Sequence, residues 1–159
     1  DVTLADLARL TDAFYIGGTK CGALFGEALV LVNPALGDHF RTCMKQRGDV
    51  LAKGWLMGLQ FYTLFQNGLY FDLARKADRQ AMEIKAAFQK AGIPLWVDSP
   101  TNQQFAVVSR EQEAALAKDF IFELSHAVDE GHNCIRFCTS WSTRDEEVAA
   151  LIEAIGRLN

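Results

Sequence analysis

The chain has 159 residues, of which 50% are hydrophobic and 23% charged, and this composition excludes a disordered tail, a collagen-like fibre and a low-complexity linker. Lys and Arg number 16 against 20 Asp and Glu, so the net charge of −4 argues against a nucleic-acid partner. The longest apolar runs fall far short of the roughly 18 residues that a bilayer requires, so we expect a soluble protein without a membrane partner.

The cysteines bear on where the protein occurs, and the first residue bears on whether the sequence is part of a longer chain. The cysteine spacing matches no secreted disulfide framework, which favours a cytoplasmic protein. The chain begins at Asp1 rather than Met, and we expect it to be a fragment of something longer. The four cysteines are Cys21, Cys43, Cys134 and Cys138.

Two short strands and a helical stretch are predicted first. Ala13–Ile16 is apolar and runs into a glycine pair, which favours a tight, strained turn that carries Lys20. Ala28–Val32 lacks alternation, so we expect a strand that is buried on both faces of a sheet. A helical stretch is expected over 38–65, with an apolar face of residues three or four apart. Gly48, Gly54 and Gly58 interrupt it, so its backbone is either closely packed or kinked. This face comprises Leu51, Trp55, Leu59 and Tyr62.

Beyond the Asn67-Gly68 break, the sequence predicts one long helix that connects two lobes. Apolar residues three or four apart form one stripe along it. The helix is expected to end near Gly92, with Pro94 just past it. The stripe comprises Leu73, Ala77, Ala81, Ile84 and Phe88.

A small α+β unit is expected in the rest of the chain. Its strands are predicted near 95–97, 104–108, 120–124 and 133–139. Two residue pairs have capping-box spacing and predict helix starts. The pairs are Ser109 with Gln112 and Thr143 with Glu146, and the final helix is expected to point Val148, Leu151, Ile152 and Ile155 inward.

Lys20 is the first candidate functional residue. A lysine at the end of a buried strand is held out of bulk water, and desolvation leaves part of its amine neutral and able to attack an aldehyde. Thr19 beside it could hydrogen-bond to a phosphate. The alternative is a solvated surface turn. A nucleotide-binding P-loop is excluded, because that motif needs Gly before the lysine and Ser or Thr after it, whereas Thr19 and Cys21 flank Lys20.

Arg136 is the second candidate. Alternation along strand 133–139 places it on the same face as Cys134 and Cys138. A guanidinium on a poorly solvated face needs a partner, and its planar fork suits a carboxylate. The residues leave open whether that carboxylate belongs to a ligand or to the chain itself, for example Glu123.

The histidines indicate no metal site. They are scattered without the spacing of metal ligands, so we assign them no role. Two cysteines, Cys134 and Cys138, lie four apart on a strand, which suits small core residues better than zinc ligands. The histidines are His39, His126 and His132.

Five segments of the chain carry a family resemblance, namely 12–28, 45–48, 53–54, 99–102 and 135–141. Taken in order, they resemble the C-terminal half of the threonine aldolase and β-eliminating lyase group, which are pyridoxal-phosphate enzymes of the aspartate aminotransferase fold (fold type I). The resemblance implies an α/β fold: the end of the large coenzyme-binding domain over 1–66, a connecting helix over 67–92, and a small α+β domain with a mostly antiparallel sheet over 93–159.

The resemblance also implies a site. Lys20 matches the Schiff-base lysine that carries pyridoxal 5'-phosphate, Thr19 matches a position near the coenzyme phosphate, and Arg136 matches the residue that binds the substrate α-carboxylate. A threonine aldolase, which cleaves a β-hydroxy-α-amino acid to glycine and an aldehyde, is the first expectation. A β-eliminating lyase or an aminotransferase is the alternative.

Further expectations concern the assembly. The group implies a homodimer or homotetramer that acts on a small amino acid. Lys45, Arg47 and Lys53 fall in a stretch that approaches the active site in that group, although a solvated face is the alternative. Since the other coenzyme contacts of the group lie upstream, we expect the isolated chain to be catalytically inert, or to act as an interaction or assembly domain.

Overall fold

Residues 2–158 are described by a computed structural model, in which the chain divides into two units, Asp1–Tyr70 and Phe71–Asn159. The first unit is built on a hairpin, in which strands β1 and β2 are antiparallel. In chain order its elements are α1 (Leu4–Leu10), β1 (Ala13–Gly17), β2 (Glu27–Leu31), a 3-10 turn (Pro34–Gly37), α2 (Phe40–Gln46), α3 (Trp55–Phe65) and a second 3-10 turn (Gln66–Gly68).

Strand β2 differs from the expectation that it is buried on both faces. Among the described residues it pairs with β1 alone, and Leu29 on it is 51% exposed. The expectation is wrong because an unbroken apolar run is buried on both faces only where a layer covers each face.

The helix expected over 38–65 is also interrupted. Helix α2 ends at Gln46, Gly48 adopts a φ of 79°, and α3 does not start until Trp55. Positive φ is a common way to end a helix, which explains the break. The apolar face that the sequence marked is exposed, and Phe61 and Leu64 are the buried residues of α3. The exposed residues are Leu51, Trp55, Leu59 and Tyr62.

The second unit contains the antiparallel sheet and most of the long helix α4 (Leu69–Lys90). The sheet has three strands in the order β3-β5-β4, and both pairings are antiparallel. This confirms the α+β unit expected from the sequence. The other elements are β3 (Gln103–Ser109), α5 (Arg110–Leu116), β4 (Glu123–Ala127), β5 (His132–Cys138) and α6 (Asp145–Gly156).

A hydrophobic core lies between this sheet and helices α4 and α6. The predicted stripe of α4 is confirmed from Ala77 onward, and the rings of Phe88 and Phe137 lie 5.8 Å apart. The core residues of α6 are buried as expected, except that Ile152 is only partly buried. The core includes Ile84, Phe88, Val108, Leu116, Ile135, Phe137, Val148, Leu151 and Ile155.

Local signals succeeded at one helix start and failed at the other. Ser109 caps α5 through a capping box with Gln112, as predicted. Helix α6 starts one residue later than predicted, because the carboxylate of Glu147 accepts the Arg144 amide at 3.1 Å. The Thr143 hydroxyl instead accepts the amide of Ser140. Of the predicted strands, 120–124 lies at β4, three residues later, and 95–97 is reduced to a single bridge.

Helix α4, with 22 residues, is the longest helix of residues 2–158. Over the residues that the structure describes, neither it nor any other helix combines the length and the apolar character that a crossing requires.

Candidate active site

Gly17, the last residue of β1, and the residues between β1 and β2 form a compact loop, called here the lysine turn (residues 17–26). The carbonyl oxygen of Gly18 accepts the amides of Cys21 and Ala23, each at 2.9 Å. Two amides on one carbonyl close the chain tightly around the two residues that follow Gly18. Thr19 and Lys20 therefore lie at an exposed bend whose base is buried.

Close packing explains the glycine at position 18. A Cβ placed there would lie 2.5 Å from the Cβ of Ala23 and 2.9 Å from the Cζ of Phe61. Gly17 differs, since a Cβ there would meet nothing within 4 Å. The positive φ values of the turn occur instead at Gly22 (109°) and Gly26 (83°). The strained backbone expected at the glycine pair is thus found later in the turn.

Two side chains from neighbouring helices hold the ends of the lysine turn. Gln60 on α3 accepts the amide of Leu24 at 2.7 Å and donates to the carbonyl of Phe25 at 3.1 Å. The hydroxyl of Tyr70 donates to the carbonyl of Gly17 at 2.8 Å. Because these bonds fix the backbone before and after Lys20, the position of the lysine is set by the fold rather than by its own contacts.

Lys20 itself is exposed, and its side chain makes no hydrogen bond or ion pair with residues 2–158. The expectation that the sheet would shield the amine is therefore wrong for this part of the chain, because Lys20 lies at the exposed bend of the turn. The amine is consequently uncommitted. Thr19 is exposed in the same way, with its hydroxyl also unpaired among the described residues.

Arg136 lies in the central strand β5 of the second unit. Its Nη1 donates to Oε1 of Gln103 on β3 at 2.9 Å, and its Nη2 forms an ion pair with the carboxylate of Glu123 on β4. The internal partner that the sequence left open is therefore present. The Arg136 side chain is 33% exposed and that of Glu123 is 64% exposed, so the pair is accessible to solvent.

The surroundings of Arg136 are more varied than alternation predicted. Cys134 is fully buried, and burial raises the pKa of its thiol. Cys138 on the same face is exposed. Lys20 and Arg136 belong to different units of the chain.

The basic residues after the hairpin lie on the surface. Lys45, Arg47 and Lys53 are exposed and have no ion-pair partner within the described part of the chain. No group of His, Cys, Asp or Glu over residues 2–158 is arranged to hold a metal ion.

Sequence reasoning missed the residues that position these candidates. Tyr70 is 53 residues from Gly17, Gln60 is 36 residues from Leu24, and Gln103 is 33 residues from Arg136. Such contacts depend on tertiary structure, and no local spacing signals them. Tyr70 lies just beyond the Asn67-Gly68 break that the sequence had marked, but that break does not predict its contact with Gly17.

Known proteins resemble nearly the whole chain. No protein-family model matches it. It is 28% identical over 149 residues to low specificity L-threonine aldolase from Pseudomonas sp. (strain NCIMB 10558), an alignment that covers 91% of this chain and 42% of the relative. It matches the solved structure of threonine aldolase from Leishmania major with a TM-score of 0.96 and 42% identity, over 99% of this chain and 46% of that one. The chain thus spans less than half the length of these relatives.

These matches define the class of protein. A hairpin that carries a lysine turn, followed by an α+β unit with an antiparallel sheet, is the fold of the C-terminal portion of a fold type I enzyme. Within that class, the chain corresponds in sequence and in fold to the C-terminal portion of threonine aldolase. The family resemblance drawn from the sequence is confirmed.

Proposed function

We propose that the chain is part of a pyridoxal-phosphate-dependent lyase that cleaves a β-hydroxy-α-amino acid to glycine and an aldehyde. The observation that carries the proposal is the uncommitted amine of Lys20, held on a turn that the fold fixes at both ends. The likeness to two threonine aldolases supports the reaction type.

The residues of the lysine turn fit the coenzyme. An exposed primary amine without a competing partner suits a covalent bond to an aldehyde carbon, and the neighbouring hydroxyl of Thr19 suits a phosphate oxygen. Bound pyridoxal phosphate supplies an electron-withdrawing ring that weakens the bonds at the α-carbon of an amino acid. Lys20 and Thr19 would hold it, and the tight backbone would keep the amine in place.

Arg136 would orient the substrate through its α-carboxylate. In the structure Glu123 pairs with the same guanidinium, so substrate binding requires that Glu123 give way. Because Glu123 is highly exposed, breaking the ion pair costs little free energy: an exposed ion pair contributes only about 0.2–1 kcal/mol. The Gln103 contact can remain and hold the guanidinium in place.

The same proposal covers organisation and assembly. Residues 1–66 would form the end of the coenzyme-binding domain, 67–92 a connecting helix and 93–159 the small domain. The exposed apolar residues Trp55 and Leu59 support a homodimer or homotetramer, since such residues gain most from being covered. The protein would act in the cytoplasm, without a nucleic-acid or membrane partner, and the isolated chain would be inert.

Chemical trapping tests the proposal. The complete protein that contains this chain is incubated with pyridoxal phosphate, reduced with borohydride and digested, and the modified lysine is identified by mass spectrometry. We expect the adduct on Lys20, its loss in K20A and its retention in K53A. An adduct that survives in K20A would contradict the assignment.

Product analysis then separates the reactions. L-threonine and L-allo-threonine should yield glycine and acetaldehyde. If tryptophan or cysteine is instead degraded to pyruvate and ammonia, the protein is a β-eliminating lyase. If only a keto acid and an amino acid exchange an amino group, it is an aminotransferase.

A further inference from the structure

Tyr70 reaches the lysine turn because the chain reverses sharply just before it. Helix α3 ends at Phe65, and Asn67 and Gly68 take positive φ values of 52° and 77°. The ring of Tyr70 then stacks on that of Phe65, with centroids 5.1 Å apart and planes inclined by 25°. The stacked rings fix the direction in which the Tyr70 hydroxyl points.

That hydroxyl contacts the turn on both sides of Lys20. It donates to the carbonyl of Gly17 at 2.8 Å and shares a hydrogen bond with the thiol of Cys21. Burial raises the pKa of Tyr70 to about 12, with smaller contributions from repulsion by Cys21 and from their hydrogen bond. The hydroxyl therefore keeps its proton, and so remains a donor to Gly17, throughout the neutral and mildly alkaline range.

Gly17 and Cys21 enclose the three residues that contain the exposed amine. The Lys20 side chain has no hydrogen bond or ion pair within residues 2–158, so its orientation depends on the backbone at these two positions. A reacting group that is already held in place avoids the entropy loss of being ordered in the transition state. One side chain that fixes both ends of a short segment provides this ordering.

We propose that Tyr70 is the positioning residue of the lysine turn, and that it aims the amine of Lys20 by holding Gly17 and Cys21 with one hydroxyl. The inference rests on the proposed function of Lys20 as the coenzyme-bearing residue. It concerns a residue that lies outside the turn and acts on Lys20 through the backbone of Gly17 and Cys21.

The test compares Y70F with the matched control Y15F in the complete protein. Y70F removes only the hydroxyl and keeps the ring that stacks on Phe65. Tyr15 is 70% exposed on β1, and its hydroxyl has no partner among the described residues. Two rates are measured: the capture of pyridoxal phosphate on Lys20, trapped by borohydride, and the labelling of Cys21 by a thiol reagent without coenzyme, located by peptide mapping.

We expect capture on Lys20 to be about 3- to 10-fold slower in Y70F than in wild type or Y15F, the range that one lost hydrogen bond produces. Cys21 should be labelled faster by a similar factor, because its partner is gone. Circular dichroism and the thermal midpoint serve to show that Y70F is folded. Unchanged capture by folded Y70F overturns the proposal, whatever the labelling rate does.

Two further outcomes are decisive. If Y70F does not fold, C21S and C21A replace it: slower capture by C21A with rescue by C21S supports the proposal, and equal rates overturn it. If wild type captures no coenzyme on Lys20, the proposed function has failed. The labelling of Cys21 then tests the turn separately, and unchanged labelling in Y70F shows that Tyr70 does not hold it.

Discussion

Replacing Gly18 by alanine should destabilise the lysine turn, whereas the same change at Gly17 should not. The new methyl group at position 18 would lie 2.5 Å from the Cβ of Ala23 and 2.9 Å from the ring of Phe61. Ala23 is 3% exposed and Phe61 is 8% exposed, so neither has free space to move into. Overpacking of this kind costs about 1–3 kcal/mol. At Gly17 nothing lies within 4 Å, and alanine should be neutral or slightly stabilising.

Amide hydrogen exchange measures this difference at the turn itself. The amides of Cys21 and Ala23 both donate to the carbonyl of Gly18, so their protection reports whether the turn is closed. A loss of about 1–3 kcal/mol corresponds to roughly 5- to 150-fold faster exchange. We expect this acceleration in G18A and none in G17A. Equal protection of the two amides in both variants would refute the packing argument.

Three other predictions concern the side chains of the candidate site and the core. E123Q in the complete protein should lower KM for the amino acid about 2- to 5-fold without changing kcat, because Arg136 loses a competing carboxylate. An unchanged or higher KM would argue against substrate binding by Arg136. The tyrosine absorbance titration should show a late step near pH 12 that Y70F removes, since the raised pKa of Tyr70 delays its ionisation. The folding stability that this pKa shift provides should be complete below about pH 10 and should disappear as the pH rises toward 12. F88A should lower the free energy of unfolding by about 3–5 kcal/mol in urea titration, since Phe88 is fully buried against Phe137, and a loss below 1 kcal/mol would mean that the core is arranged differently.

Those parts of the fold that depend on neighbouring residues could be predicted from the sequence. The buried stripe of α4 follows from residues three or four apart, and the start of α5 follows from the capping box at Ser109. The central strand β5 was likewise predicted from its local sequence, as the strand expected near 133–139. By contrast, the exposure of Leu29 on β2 depends on which layers cover the hairpin, and an apolar run does not contain that information.

The candidate site shows the same division. The glycine pair beside Lys20 marked a turn, but Tyr70 and Gln60 reach it from distant positions in the chain. For Arg136, alternation gave the face of the strand, and the choice of partner depended on strand order. Only the order β3-β5-β4 places one neighbour on each side of the guanidinium.

Arg136 joins all three strands of the sheet in the second unit, through Gln103 on one side and Glu123 on the other. An alanine at this position would thus remove side-chain contacts from β5 to both neighbouring strands at once. It would also remove the positive charge that a ligand could bind. A loss of turnover in such a variant would therefore have two causes, a weakened sheet and a missing cation. Substitutions of Gln103 and Glu123 separate these causes better, because they leave Arg136 itself in place.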